Sequence, residues 1–206
     1  MRLSPNSSAA AGPRERELNS MSLRRKVVVL TCLLLCSLSL PFSEFLAQEK
    51  GRTMPLQITS TAFSAGETIP KKFTCDGPDI SPKLTWNEPA AKTQSFTLIM
   101  DDPDAPVGTW VHWVLFGLPA DAKELSEGVA KQDQLSNGAR QGRNDFGKIG
   151  YGGPCPPPGK PHRYFFKLYA LDSKLNLKAG ATKAEVERAM KGHVVGQAEL
   201  VGRYGH

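Results

Sequence analysis

The apolar positions of this chain fall into short runs separated by proline and glycine, and the runs have the spacing of strands. "LQITSTAF" (56–63), "KLTW" (83–86), "SFTLIMD" (95–101), "VHWVLFGL" (111–118), "YFFKLYAL" (164–171) and "VGQAELVGRY" (195–204) are rich in β-branched and aromatic residues and are bounded by turn formers. Period-2 alternation places His112, Val114 and Phe116 on one face of the fourth run and Val111, Trp113 and Leu115 on the other. Both faces are apolar, as expected at the centre of a sandwich. One segment reads as a helix: in "TKAEVERAMKGH", Thr182 and Glu185 have capping-box spacing and Gly192 is placed to end it. "DAKELSEG" (121–128) is compatible with a short helical turn. No repeat or linker divides this part of the chain. The pattern predicts a mainly β protein, an antiparallel β-sandwich with one or two small peripheral helices.

The first 47 residues have a different grammar. Arg24, Arg25 and Lys26 precede an uncharged apolar run of fourteen residues, Val27 to Leu40, closed by Pro41 and followed by the small residue Ala47. This is the pattern of a secretory signal peptide. The run is short for a spanning helix, which needs ~20 residues, so the competing reading is an uncleaved surface anchor. Cys32 and Cys36 follow Thr31 and Leu35, not the small residues of a lipidation site. Residues 1–47 are therefore expected to be an N-terminal extension and signal, with Met21 a possible true start, and residues 48–206 one domain, exported to a periplasmic or extracellular compartment.

Removing that segment changes the charge. Six of the 26 basic and three of the 20 acidic residues precede Gln48, so the formal +6 of the whole chain becomes +3. No basic block or stripe remains, which argues against nucleic acid as a partner. Membrane contact is expected only through the signal segment or weak attraction to an anionic surface. Cys75 and Cys155 are the cysteines left. In an exported chain they either pair or stay as two buried free thiols, and their spacing does not decide between these.

Polar residues converge at the strand ends. "SFTLIMD" runs into Asp102, Asp104 and Pro106, and His112 opens the next run. A Gly/Pro loop, "YGGPCPPPGKP", delivers His162, Arg163 and Tyr164 to the start of another strand. A hairpin would bring Asp102, Asp104 and His112 to one end of the sheet. Three chemistries compete for such a set. Carboxylates and imidazoles bind metals, but no compact His or Cys ligand spacing is present. Asp and His serve acid–base catalysis beside a nucleophile, but there is no G-x-S-x-G elbow. Imidazoles also donate to an anion while acids orient the rings, with backbone amides of Gly152, Gly153 and Cys155 completing a cradle.

"DPDAP" ending one strand, "HW" opening the next, "GPCPPPGKPHRY", "FTCDGPDISPKLTW" and "AELVGRYGH" together resemble the phosphatidylethanolamine-binding protein family, in particular its bacterial and archaeal YbhB/YbcL-type Raf-kinase-inhibitor-like branch. The resemblance spans about Leu56 to Tyr204. It implies an antiparallel β-sandwich with small peripheral helices and a small pocket for phosphate-like anions and phospholipid headgroups. The pocket would use Asp102, Asp104, His112, His162 and Tyr164. Pro106 would shape the turn through a cis bond, Gly153, Cys155 and Pro157 would form the loop wall, and Arg163 would be a structural pairing residue at the mouth. Relative to eukaryotic members, the chain lacks a C-terminal helix over the pocket and has a short stretch before His112.

The reading that follows is a non-enzymatic binding protein without cofactor, holding a small anionic ligand or phosphorylated headgroup. Two rivals stand beside it. One is a protein-interaction module that inhibits a kinase or protease through the proline-rich 154–161 loop. The other is a metal- or Asp/His-dependent hydrolase.

Overall fold

The computed structural model describes residues 55–87 and 92–206; the expected extension and signal segment at 1–47 lies outside the described residues. The strands are β1 (Ile58–Thr59), β2 (Leu84–Trp86), β3 (Ser95–Asp102), β4 (Trp110–Pro119), β5 (Glu124–Leu125), β6 (Arg140–Gln141), β7 (His162–Leu171) and β8 (Val194–Tyr204). One α-helix, α1 (Lys183–Met190), and a 3-10 turn at Lys71–Phe73 complete the elements. They form two antiparallel sheets, ordered β1-β2-β5 and β6-β4-β3-β7-β8.

The larger sheet is covered on both sides. Phe96, Leu98 and Met100 of β3 pack with Ile58, Leu84, Trp86 and Leu125 of the small sheet and with Tyr164, Phe166 and Leu168 of β7. Ile99, Val114, Phe116 and Leu171 instead pack against Val186 and Met190 of α1. All eight residues of β3 are buried: the apolar Phe96, Leu98, Ile99 and Met100 pack in the two cores, and the polar Ser95, Asp101 and Asp102 are hydrogen-bonded to other elements. The helix starts at the expected capping box, with Thr182 accepting from the Glu185 amide and the Glu185 carboxylate accepting from the Thr182 amide. Gly192, at φ +84°, takes the left-handed conformation that stops it.

Three local expectations are corrected. Of "LQITSTAF" only Ile58–Thr59 pairs as a strand. The Ser60 hydroxyl donates to the Lys83 carbonyl and accepts from the Ala62 amide, so side-chain bonds replace the ladder there. "DAKELSEG" holds a strand, not a helical turn: Glu124 and Leu125 pair with Thr85 and Leu84, because Leu125 buries itself in the small sheet's core.

The third concerns β4. Met100 pairs with Trp113 but Asp101 pairs with Val111, so His112 is the extra residue of a β-bulge. A second bulge leaves Gly117 unpaired at φ +72°. The first bulge breaks the alternation expected for His112. Val111 packs with Val114 and Phe116 on the helix side. His112 turns to the opposite side, its ring 5.2 Å edge-on to Tyr164 of the inter-sheet core.

Cys75 and Cys155 form a disulfide, with Cα atoms 5.4 Å apart across 80 residues of sequence. Of the two readings left open above, the pair is realised. A closed loop of that length removes chain entropy from the unfolded state. Replacing both cysteines by serine is expected to lower unfolding free energy by about 4 kcal/mol in guanidinium titrations, and a change under about 1 kcal/mol would show that the bridge does not constrain the unfolded chain.

Candidate functional site

The end of β3 and the start of β7 are tied together by their own charges. Asp101, Asp102 and Asp104 each have different partners. Asp101 is fully buried on the helix side and accepts from Lys167 of β7 at 2.8 Å and from Lys183 of α1. Asp102 is buried on the other side, with Oδ2 2.8 Å from Nδ1 of His162 and Oδ1 accepting the Asp104 amide. An ionised carboxylate only accepts, so His162 donates through Nδ1 and its Nε2 is left for other partners. Asp104 takes a bidentate fork from Arg163, 2.8 Å to Nε and 2.7 Å to the terminal nitrogen, and also its backbone amide. The hydrogen bonds from the Arg163 side chain hold the Asp104 carboxyl down to about 2.

Asp104 was expected to help orient an imidazole; it pairs with Arg163 instead, which fills the pairing role assigned to it. His112 is oriented by backbone. Its Nδ1 lies 2.7 Å from the Gly152 carbonyl oxygen, and the Gly152 amide donates to the His112 carbonyl at 2.9 Å. A carbonyl only accepts, so Nδ1 carries the proton and Nε2 presents a lone pair. Burial pushes the His112 pKa below the ordinary value of 6.5, opposed mainly by the Gly152 bond and the charge of Asp102. His112 is therefore neutral at pH 7 and an acceptor at Nε2, the reverse of the charged donor that the sequence pattern suggests.

The amide cradle is also revised. The Gly152 amide is spent on His112, and the Gly153 amide donates to Asp79 Oδ1 at 2.6 Å. Asp79 sits at φ +55°, a conformation Asp tolerates, and ion-pairs with Lys131 through its other oxygen. A Cβ on residue 153 would lie 2.5 Å from both Asp79 Oδ1 and the Phe73 carbonyl, so glycine is required there by close approach of backbone. No peptide bond among the described residues is cis, so Pro106 shapes its turn in the trans form.

These residues surround a cavity of about 220 Å³. Seven predicted residues line it: Asp102, Pro106, His112, Cys155, Pro157, His162 and Tyr164. Asp104 lies in an adjoining crevice with Pro157 and His162, and Gly153 lines a second cavity with Asp79, Lys131 and Tyr151. The sequence reading missed Ala105, Val107, Trp110, Phe146 and Pro156, which supply most of the apolar wall. Phe146 stands edge-on to both Trp110 and His112, at 5.5 and 5.3 Å. It comes from a loop with no motif of its own, so no local signal marked it.

Two buried donors of this wall find no acceptor among the described residues: the Tyr164 hydroxyl and Nε1 of Trp110. Burial and then the Asp102 charge push the Tyr164 phenol upward, so it keeps its proton. Asp102 lies close enough that both its charge and a weak contact with the hydroxyl raise the phenol, yet no well-formed hydrogen bond joins them. Among the described residues, no lysine or arginine lines the cavity.

The depressed His112 pKa has a stability consequence. The unfolded chain binds that proton more readily than the folded one, so the contribution of neutral His112 is complete above about 6.5 and is lost as pH falls below it. The thermal midpoint is expected to drop between pH 7.5 and 5.5 more steeply in the native chain than in a His112→Asn variant. Equal slopes would refute the assignment of a neutral, buried ring.

Comparison with known proteins adds family context to this geometry. Residues 59–205 match the sequence profile described as phosphatidylethanolamine-binding protein. The UPF0098 protein of Aquifex aeolicus is 50% identical over 151 residues, covering 72% of this chain and 88% of the relative. That of Methanothermobacter thermautotrophicus is 49% identical over 149 residues, covering 72% and 98%. Among solved structures, CT736 of Chlamydia trachomatis, a homologue of phosphatidylethanolamine-binding protein, superposes with TM-score 0.69 at 42% identity, covering 75% of this chain and 99% of that one. Escherichia coli YbcL, described as a member of the mammalian family, gives 0.70 at 36% identity, covering 74% and 99%. With the profile matched along most of its length and the two-sheet fold shared with both structures, this chain belongs to the phosphatidylethanolamine-binding protein family.

Proposed function

We infer that the chain is a non-enzymatic binding protein whose cavity takes a phosphoryl group, free or at the end of a phospholipid headgroup, and that it acts after export. The observation that carries this reading is the pair of buried, unpartnered donors, Tyr164 O–H and Trp110 N–H, beside His162 on the wall of one small cavity. A buried donor without an acceptor costs about 1–3 kcal/mol, and a ligand oxygen removes that penalty. Neutral His112 adds a selective element. Its Nε2 accepts, so it favours a phosphoryl oxygen that still carries a proton, while Asp102 disfavours a fully ionised group. A singly protonated monoester or phosphate monoanion meets both demands, whereas the diester phosphate of a phospholipid headgroup carries no such proton and would be held through the Tyr164 and Trp110 donors without the His112 contact.

The lining supports binding over covalent chemistry. The Cys155 sulfur is committed to Cys75, and among the described residues no serine or threonine lies in the wall. The disulfide and the signal-like segment at 21–47 together support an oxidising, exported setting. The apolar faces of Pro106, Val107, Pro157 and Phe146 suit the carbon part of an ester beyond the phosphoryl group.

Calorimetric titration with inorganic phosphate and phosphoethanolamine tests the reading. Saturable binding is expected at pH 6, weaker by about tenfold or more at pH 8 as the ligand loses its second proton (pKa ≈ 6 for phosphomonoesters). His112→Ala and Tyr164→Phe are each expected to reduce affinity at least tenfold. No saturable binding, or binding unchanged by His112→Ala, would sink the proposal and move the proline-rich 154–161 loop, as a protein-binding surface, to the front.

A further inference from the structure

A second cluster of chemically active groups lies at the outer end of the 151–155 loop. The Cys75–Cys155 disulfide is exposed on both residues. The two sulfurs and a ring nitrogen of His206 all lie within 4.8 Å of one another. His206 is itself positioned: its Nδ1 is 3.2 Å from Asp76 Oδ2, its ring stands edge-on to Tyr204 at 5.9 Å, and the Tyr204 hydroxyl donates to the same Asp76 oxygen. A carboxylate behind an imidazole is the arrangement that orients a metal-ligating histidine.

The cysteines are held together by more than their bond. The Cys75 amide donates to the Pro154 carbonyl at 3.0 Å, the Tyr151 hydroxyl to the Phe73 carbonyl at 2.7 Å, and the Gly153 amide to Asp79 at 2.6 Å. These contacts clamp residues 73–79 against 151–155 whether or not the sulfurs are joined. On reduction the sulfurs therefore stay near each other. A tetrahedral zinc with Zn–S of ~2.3 Å needs its sulfurs about 3.7 Å apart, a separation that side-chain rotation alone supplies.

We propose that Cys75, Cys155 and His206 form a redox-gated zinc site: closed as the disulfide, and able to bind one Zn²⁺ when a dithiol reductant opens it. In the reduction, the S–S bond breaks, each sulfur gains one electron and one proton, and the dithiol leaves as its cyclic disulfide. Zinc then displaces the two thiol protons and is held by two thiolates and the imidazole, with solvent in the fourth position. Two thiolates and one imidazole favour zinc over magnesium or calcium, which prefer oxygen. Cys155 also lines the phosphoryl cavity, so metal loading acts on its wall. The zinc proposal does not depend on what that cavity binds.

The test uses the full chain carrying Cys32→Ser and Cys36→Ser, so that Cys75 and Cys155 are its remaining cysteines, in oxidised and dithiothreitol-reduced form, with excess reductant removed anaerobically. Competition against a chromophoric zinc chelator is expected to give one Zn²⁺ per reduced chain and none per oxidised chain. Cobalt substitution is expected to produce the near-ultraviolet thiolate charge-transfer band and the visible bands of a tetrahedral site. His206→Ala should weaken zinc binding about tenfold or more while two thiols still titrate, and Cys155→Ser should abolish it. Near-ultraviolet circular dichroism should be preserved on reduction. Zinc binding by the oxidised chain, an affinity unchanged in His206→Ala, no binding by the fully reduced chain, or loss of the near-ultraviolet signal on reduction would each overturn the site.

Discussion

The contact between Asp102 and His162 is the constraint on which the rest of the site depends. It joins the last residue of β3 to the first of β7 in a buried environment, where a lone carboxylate would be strongly disfavoured. With Nδ1 of His162 committed, the ring's other nitrogen is free for a ligand. The same strand end places Asp101 on the opposite face, where two lysines answer it, and Asp104 just beyond, where Arg163 does. Consecutive acids thus point to opposite sides of the sheet and stabilise three different junctions. The cluster reads in the sequence as one acidic turn, but its members have separate tasks.

The two histidines are unlike for a physical reason. His162 faces a carboxylate, whereas His112 faces a carbonyl and two aromatic edges. A carbonyl fixes the tautomer without offering a full charge to stabilise a proton, and burial then favours the neutral ring. The site therefore combines an acceptor, His112, with the donors Tyr164 and Trp110 instead of relying on positive charge. That distribution suits a ligand having both a proton and bare oxygens.

The wall of the cavity and the disulfide cluster share a loop. Residues 151–155 are pinned from one side by Phe73, Cys75 and Asp79, and from the other by His112. Glycine at 152 and 153 permits this double approach: a Cβ at 152 would strike the Phe146 ring at 2.7 Å. The Gly152 and Gly153 amides are spent on His112 and Asp79, which is why these two do not serve as an anion cradle.

Much of the architecture was legible in the residue pattern. β3, β4, β7 and β8 fall within two residues of the runs that announced them, since long apolar runs in a two-sided sheet leave little alternative. The helix carried its own cap in Thr182 and Glu185. The convergence of Asp102, His112, His162 and Tyr164 followed from motifs at strand ends. Other features were invisible because they depend on partners distant in sequence. The bulge that turns His112 to the inter-sheet side is set by its register against β3, not by local propensity. Trp110 and Phe146 became wall residues only when a loop some 35 residues downstream folded back against β4. The protonation of His112 was decided by burial and a carbonyl 40 residues away. The sequence by itself determined the four long strands β3, β4, β7 and β8, the helix, and which residue types reach the sheet's end. Only the tertiary structure decided their faces, partners and charges, because those depend on register and desolvation, which no local stretch encodes.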